Sequence, residues 1–335
     1  MSYRQLWLTA SALIFCTLGA TSPLSAAPTS PAKASDASAN ESLKAAETAF
    51  EAQDYATSFP LYQDLARKGD AEGQYMVAIS YDFGYGVEKN EATAVDWYKL
   101  AAAQGHAKAQ YNLAISYDEG QGTQKNPKKA EEFYEKAALQ GHSNAQYNLA
   151  QLYYDEDSGI PQDYAKAFKW YLMSAEQGEP KAQFRIGYMY DEGEGVEVDK
   201  PKAAAWYEKA AAAGSKWAPF NLALMYDTGD GVAVDKIKAL KWYQQSAYAE
   251  DEKGQYNLGV MYDNGEGTPV DHRAAAFWYK QAAAQGHKGA QYNLGISYYK
   301  GEGVDEDEAL AIEWLTKAAE QGHEGAADAL KTIAE

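Results

Sequence analysis

Two kinds of segment alternate along the chain. In each kind, apolar and aromatic residues recur with the spacing of one face of a helix. The stretch "HAKAQYNLAISYDEGQGTQKNPKKAEEFYEKAALQG" (106–141) contains one example of each. In "AQYNLAISYDEG", aromatic, aliphatic and small residues recur at helical intervals, and an aromatic pair in "PKKAEEFYEKAALQG" precedes an alanine-rich turn. This pattern predicts a pair of helices.

The helix-pair pattern recurs along most of the chain at a nearly constant interval. The residues that set its phase lie 36 residues apart, with one interval of 37: Gly69, Gly105, Gly141, Gly178, Gly214, Glu250, Gly286 and Gly322. Repetition at this period is typical of a helical solenoid, which buries its core between neighbouring units. We therefore predict one elongated all-α domain of antiparallel helix pairs instead of two globular domains. Below, units 1–7 and their positions are numbered from each preceding phase residue.

Three columns of the first helix point to close helix packing. Aromatic residues occupy positions 6 and 12, as in Tyr111 and Tyr117 of unit 2, and a small residue lies between them. The small column is Ala78, Ala114, Ala150, Gly187, Ala223, Gly259 and Gly295. Small residues let two helices approach, and the aromatic residues fill the space beside them.

The second helix begins at a capping residue that the units share. The caps are Asn90, Asn126, Asp163, Asp199, Asp235, Asp271 and Asp307. An aromatic column follows, comprising Trp97, Phe133, Trp170, Trp206, Trp242, Trp278 and Trp314. We interpret this column as the inter-repeat core, and this predicts that Trp206→Ala costs about 3–5 kcal/mol of stability.

A "GxG" turn joins the two helices in most units, as at Gly193 and Gly195. Glycine there fits a left-handed helix end. A nucleotide-binding loop is disfavoured because no strand precedes these glycines and no Lys-Ser/Thr pair follows them. Unit 3 departs from the pattern: "YYDEDSGIPQD" is one residue longer and has Glu156 in place of the first glycine. We expect an altered connection, with a bend or a changed groove, at this unit.

The columns "AQYNLGxxYxxGxGVxxDxxxAxxWYxKAAxQG" resemble the sel-1-like repeat (SLR) family, which is related to the tetratricopeptide repeats. The resemblance implies a right-handed α-solenoid that acts as an adaptor or scaffold for protein complexes. It predicts seven repeats at 70–322, preceded by a helical hairpin at 41–69 and followed by a capping helix at 323–335. A cysteine-rich branch of the family is associated with penicillin binding and β-lactamase activity, and its repeats each carry a cysteine pair.

The N-terminus has the composition of a secretory signal. "MSYRQLWLTASALIFCTLGATSPLSAAPTS" contains one cation, Arg4, then an apolar stretch and small residues suited to cleavage. We predict a signal peptide at 1–26, a flexible linker at 27–40, and an exported protein that is periplasmic or secreted. The rival, a membrane anchor, is disfavoured by polar interruptions in the stretch. The one cysteine, Cys16, lies in the signal, so the mature chain lacks the cysteine pairs of the enzymatic branch. No enzyme, catalytic residue or cofactor is predicted.

The net charge and the positions of the histidines disfavour two classes of ligand, nucleic acids and metal ions. Asp and Glu total 48 against 30 for Lys and Arg, and the resulting net charge of −18 disfavours nucleic acid. His106, His142, His287 and His323 share position 1. Equivalent positions in stacked repeats lie roughly 10 Å apart, so we interpret these residues as turn histidines and predict no metal site.

The candidate binding surface is the side of the first helix opposite its apolar arc, at positions 3, 7 and 11. The pattern predicts that the apolar arc itself comprises positions 6, 8, 9, 10 and 12. The predicted protein-binding residues on a concave face are Asn112, Asn148, Arg185, Met189, Trp217, Asn221, Met225, Asn257, Met261 and Asn293. Two alternatives stay open: the asparagines hydrogen-bond neighbouring repeats, and the methionines pack between helices. The sequence does not identify the partner protein or the oligomeric state.

Overall fold

The structure is a computed structural model that describes residues 33–334, with side-chain surroundings from residue 40 onward. Seventeen α-helices and no strand occur in this range. They are α1 Lys33–Glu51, α2 Tyr55–Arg67, α3 Ala71–Phe83, α4 Glu91–Ala103, α5 Ala107–Glu119, α6 Pro127–Leu139, α7 Ser143–Tyr154, α8 Tyr164–Glu176 and α9 Pro180–Glu192. The remainder are α10 Lys200–Ala212, α11 Ala218–Thr228, α12 Lys236–Tyr248, α13 Glu252–Asn264, α14 His272–Ala284, α15 Lys288–Lys300, α16 Glu308–Glu320 and α17 Glu324–Ala334.

Each helix packs on the next one along the chain, so the architecture is the predicted all-α solenoid of helix pairs. Units 1–7 comprise the pairs from α3/α4 to α15/α16, with the α1/α2 pair before them and α17 after them. Helix α1 begins at Lys33, inside the segment predicted to be a flexible linker. The predicted signal peptide, 1–26, lies outside the described residues. Within the described range, no helix is both long and apolar enough to cross a membrane.

The helix starts confirm the capping residues. In every unit the predicted Asn or Asp side chain accepts a hydrogen bond from the third helical residue, as Asn90 does from the Thr93 amide at 3.0 Å. The turn histidines cap the first helices in the same way. Nδ1 of His106, His142 and His287 accepts from a backbone N–H, and each ring stacks on a tyrosine of the preceding unit.

This capping role makes the solenoid sensitive to acid, since a protonated Nδ1 cannot accept a hydrogen bond. Burial, reinforced by nearby Lys108, lowers the pKa of His142 to about 4. Its unfolded pKa is about 6.5, so between pH 6.5 and 4 the unfolded chain binds more protons and stability falls as the pH falls.

We expect His142 to account for about 3 kcal/mol of the stability lost between pH 7 and pH 4. His142→Asn keeps an N-capping side chain that does not titrate, so its denaturation midpoints should vary less with pH. Chemical denaturation of both proteins across this range is the measurement. Identical pH dependences would contradict the assignment.

The core contains a tyrosine column that the sequence analysis missed. It consists of Tyr98, Tyr134, Tyr171, Tyr207, Tyr243 and Tyr279, each at most 1% exposed. The preceding Trp/Phe column, predicted to be the inter-repeat core, takes part in it unevenly: Trp170 and Trp278 are buried at 6% and 9% exposure, whereas the others are partly buried and pack against the core. Trp206 is only partly buried, because it lies at the edge of the helix interface with Lys209 Nζ 3.9 Å from its ring centroid. The small column was predicted correctly: a Cβ on Gly187 would lie 2.7 Å from the Tyr207 ring.

Unit 3 has the altered connection that its sequence predicts. Helix α7 ends at Tyr154 without a left-handed glycine cap, and a 3₁₀ turn, Glu156–Ser158, follows it. The left-handed residue comes later, at Gly159, and Ile160 is buried at 5% exposure. This turn places a run of acidic side chains beside the first helix of the unit.

Candidate binding cleft

The inner face of the solenoid is defined here as the surface formed by positions 3, 7, 10 and 14 of the first helices. Position 7 is partly exposed in every unit, and position 10 becomes accessible from unit 3 onward, reaching 43% exposure at Leu224. Positions 4 and 11 are buried throughout. The buried arc is therefore rotated by roughly 80° from the predicted one.

This rotation corrects part of the predicted site. Met189, Met225 and Met261 are at most 3% exposed, so they belong to the core and line no surface. The alternative interpretation, that these methionines pack between helices, is therefore confirmed. The cause is the small residue at position 4, which lets the first helix approach the preceding second helix. At Gly73, an added Cβ would lie 2.7 Å from Leu65 Cβ.

Most of the predicted asparagines take part in hydrogen bonds between repeats. Asn112 Nδ2 donates to the Tyr98 hydroxyl at 3.2 Å, and Tyr98 in turn donates to Asp82 at 2.9 Å. Asn148 bonds the Tyr134 hydroxyl in the same way, at 3.3 Å. Asn221 and Asn293 likewise bond the tyrosine of the preceding unit, whereas Asn257 donates to the Lys253 carbonyl at 3.1 Å. The asparagine column thus has a structural role at most junctions.

The junction of units 3 and 4 departs from this network at two columns together. Tyr154 stands where most units have the aspartate, and Arg185 stands where most have the asparagine. Tyr171 consequently donates to Gln151 Oε1 at 3.0 Å. The Arg185 guanidinium covers the Tyr154 ring at 5.1 Å and bonds the Tyr147 hydroxyl. Among the described residues, Arg185 forms no ion pair.

Trp217 occupies a second irregular junction, that of units 4 and 5. Its ring packs on Phe184 with centroids 5.8 Å apart, in the role that a turn histidine has in three other units and before α17. Helix α11 consequently begins at Ala218. Trp217 is 42% exposed, which is unusual for an indole on a folded surface.

These irregular junctions enclose a cleft of about 680 Å³ on the inner face. Its lining includes Asp118, Glu119 and Lys125 of unit 2, Tyr147, Asn148, Gln151, Asp155, Glu156 and Asp157 of unit 3, Lys181 and Arg185 of unit 4, and Trp217 of unit 5. Two whole units separate the outermost of these residues, so this face is the concave one. Asn148, Arg185 and Trp217 are the predicted site residues that meet here, while Asn112, Asn221, Asn257 and Asn293 lie elsewhere on the inner face.

The residues of unit 3 that complete the cleft were not predicted from the sequence. Gln151 is at position 10, which had been assigned to the apolar arc, and Asp155–Asp157 belong to the irregular turn. The sequence did contain one indication of them. Tyr154, Glu156 and Arg185 each differ from the residue usual in their column, and all three lie at one junction.

Charges are distributed unevenly along the cleft. Units 2 and 3 contribute five carboxylates and one cation, Lys125, whereas unit 4 contributes Lys181 and Arg185. Burial raises the pKa of Asp118, and Asp155 nearby adds to this effect. Gln151 donates to Asp155 at 2.7 Å, and Tyr134 donates to Asp118 at 3.4 Å. The cleft has an acidic end and a basic middle, and its last unit contributes an exposed indole.

The described residues contain no candidate set of ligands for a metal ion. No group of three or more His, Cys, Asp or Glu side chains there could hold a metal ion. His272 pairs with Asp263 at 2.7 Å, where other units place a lysine, and belongs to the outer surface.

Seven consecutive stretches of the chain match one family model of known proteins. The family model described as Sel1 repeat matches residues 71–106, 107–142, 143–179, 180–215, 218–251, 253–287 and 289–323. No curated protein sequence matches the chain.

Two solved structures resemble the chain closely. One is a protective antigen of uropathogenic Escherichia coli strains that displays an SLR fold: it is 34% identical with a TM-score of 0.77, and the match covers 82% of this chain and 59% of the antigen. The other is a Sel1 repeat protein from Oxalobacter formigenes, 30% identical with a TM-score of 0.67 and 91% coverage of both chains. With seven consecutive matches to the family model, the chain belongs to the Sel1 repeat family.

Proposed function

We propose that this protein is an exported, non-enzymatic scaffold whose inner-face cleft holds a segment of a partner protein. The observation that carries the proposal is the exposed indole of Trp217 at a cleft shared by four consecutive units. Tryptophan and arginine dominate the binding energy of protein interfaces, and both are present here.

The cleft differs from the rest of the inner face in being irregular. At most other junctions the asparagine–tyrosine–aspartate bonds recur, as expected of a structural column, although Asn257 bonds the Lys253 carbonyl instead. At the junction of units 3 and 4 these bonds are replaced, and Arg185 and Tyr154 stack instead. A binding site is expected where the repeat departs from its own pattern, because identical surfaces in every unit could not select one position.

Export rests on the N-terminal sequence. A cation, an apolar stretch and a small-residue cleavage region precede the repeats, and the predicted mature chain contains no cysteine. A scaffold in the envelope that meets its partners there is consistent with these features.

A photo-crosslinking residue at position 151 tests the proposed function in intact cells of the native host. Position 151 lies in the cleft, and position 280, on the outer surface of α14, serves as the comparison site. We expect a specific adduct in the envelope fraction from position 151 alone.

Trp217→Ala should reduce that adduct by at least about tenfold while the melting temperature stays within a few degrees. Tyr248→Ala is the matched control, because it removes a 75% exposed aromatic ring remote from the cleft. Equal adducts from positions 151 and 280, or no effect of Trp217→Ala, would contradict the proposed function.

A further inference from the structure

We propose that the cleft selects an extended partner segment by the order of its side chains: basic, then acidic, then apolar. This inference rests on the proposed function and names the chemistry of the partner. It follows from the order of the lining residues along the solenoid axis: units 2 and 3 contribute five carboxylates against one cation, Lys125, unit 4 contributes two cations, and unit 5 contributes an aromatic ring.

Arg185 is the anchor for the acidic residue of the segment. Its guanidinium has five N–H donors, and its described contacts are the Tyr154 ring and the Tyr147 hydroxyl. A planar guanidinium matches a carboxylate, and a partly buried pair of this kind is stronger than one in open water. A side-chain carboxylate of the segment completes the donor set of Arg185.

The 3₁₀ turn of unit 3 receives the basic residue. Glu156 and Asp157 are exposed, and neither makes an ion pair within the described part of the chain. Asp118 beside them has a raised pKa because burial disfavours its charge. A lysine or arginine of the segment relieves the mutual repulsion of these carboxylates.

Trp217 receives the apolar residue. Phe184 covers part of the ring, at 5.8 Å, and Lys216 Nζ lies 5.1 Å from its centroid. The exposed part of the Trp217 ring offers an apolar surface in unit 5, which directly follows the unit that contains Arg185.

The repeat spacing sets the spacing of the motif. Packed helices lie roughly 10 Å apart, and an extended chain advances about 3.3 Å per residue. Adjacent units therefore correspond to about three residues of the segment. The favoured pattern is a cation, an acid and an apolar residue at three-residue intervals.

Three synthetic peptides of identical composition test the order. Each is an acetylated and amidated nonapeptide that carries Lys, Asp and Leu at three-residue intervals in a Ser/Ala background, with Asp, Lys or Leu in the middle. Fluorescence anisotropy with the labelled peptides measures binding to the purified full-length protein. We expect the peptide with Asp in the middle to bind at least about fivefold more tightly than the other two.

Arg185→Asn restores the residue found at this column in five other units, so the variant should fold. It should remove the preference for a central Asp, whereas Lys280→Asn, which removes one positive charge from the outer surface, should leave the preference intact. Equal affinities for the three orders, binding of none of them, or an unchanged preference in Arg185→Asn would overturn the inference. Binding that appears only when the same peptides are synthesised without C-terminal amidation would also overturn it, because a terminal carboxylate would then be the recognised group.

These outcomes are separate from those of the proposed function. If position 151 gives a cleft-specific adduct but the three peptides bind equally, the scaffold function stands and the inference about the order of side chains is wrong. Absence of the adduct removes the function itself.

Discussion

Replacing Tyr207 by Ala is expected to lower the free energy of unfolding by about 3–5 kcal/mol, the range for large aromatic truncations in a core. Tyr207 is fully buried, and its ring contacts Gly187 of its own unit closely enough that a Cβ there would lie 2.7 Å away. Its hydroxyl donates to Asp191 at 3.2 Å and receives a hydrogen bond from Asn221 of the next unit. Truncation therefore leaves a cavity and two polar groups without their partner.

The adjacent residue supplies a matched comparison. Trp206→Ala removes a larger ring from a partly exposed site, so we expect a loss of about 1–2 kcal/mol, below the value predicted from the sequence. Tyr207→Phe keeps the ring and should cost about 1–2 kcal/mol for the lost hydroxyl. Urea denaturation followed by far-ultraviolet circular dichroism gives all three values. If Trp206→Ala is the more damaging substitution, the tyrosine column is not the main core.

The repeat length, the helix pairs and the helix caps could be predicted from the sequence because each depends on local chemistry. An Asn or Asp before a helix caps it wherever the helix packs, and the structure has these caps at all seven second helices. The turn histidines were also interpreted correctly, since Nδ1 of His106, His142 and His287 caps the helix that follows each turn.

The choice of buried face could not be settled by hydropathy alone. The first helix carries apolar residues over more than half of its circumference, so several arcs fit the pattern. Burial is decided by how closely the neighbouring helix approaches, and small residues at position 4 mark that contact better than the aromatic residues at position 6. The methionines at position 11 lie beside this contact, which explains their burial.

The cleft could be predicted only in part, for a different physical reason. Arg185 and Trp217 stood out as exceptions in their columns, yet Gln151 and Asp155 acquire their positions from the irregular turn that follows α7. Side chains more than sixty residues apart, such as Asp155 and Trp217, line one cleft because consecutive units curve around the inner face. That curvature depends on all the helix contacts between them, and no single column of the repeat specifies it.

Gly267→Ala should be far more damaging than Gly286→Ala, although both glycines have left-handed backbone conformations. Their φ angles are 71° and 99°. A Cβ at Gly286 meets no atom within 4 Å, so its cost is the conformational penalty alone, about 1 kcal/mol. A Cβ at Gly267 would lie 2.7 Å from the Lys236 carbonyl carbon, in the backbone of the preceding unit.

The backbone contact at Gly267 cannot relax by a change of side-chain rotamer. Unit 6 must move away from unit 5, which also strains the ion pair between Lys236 and Glu266, 2.6 Å apart. We expect a total loss of about 2–4 kcal/mol for Gly267→Ala, because overpacking adds to the left-handed penalty. Urea denaturation gives the totals, and hydrogen exchange of α12 and α13 should show the loosened junction in Gly267→Ala alone. Equal destabilisation by the two substitutions would mean that the second glycine of the turn is kept only for its backbone conformation, and not for the contact that holds consecutive repeats together.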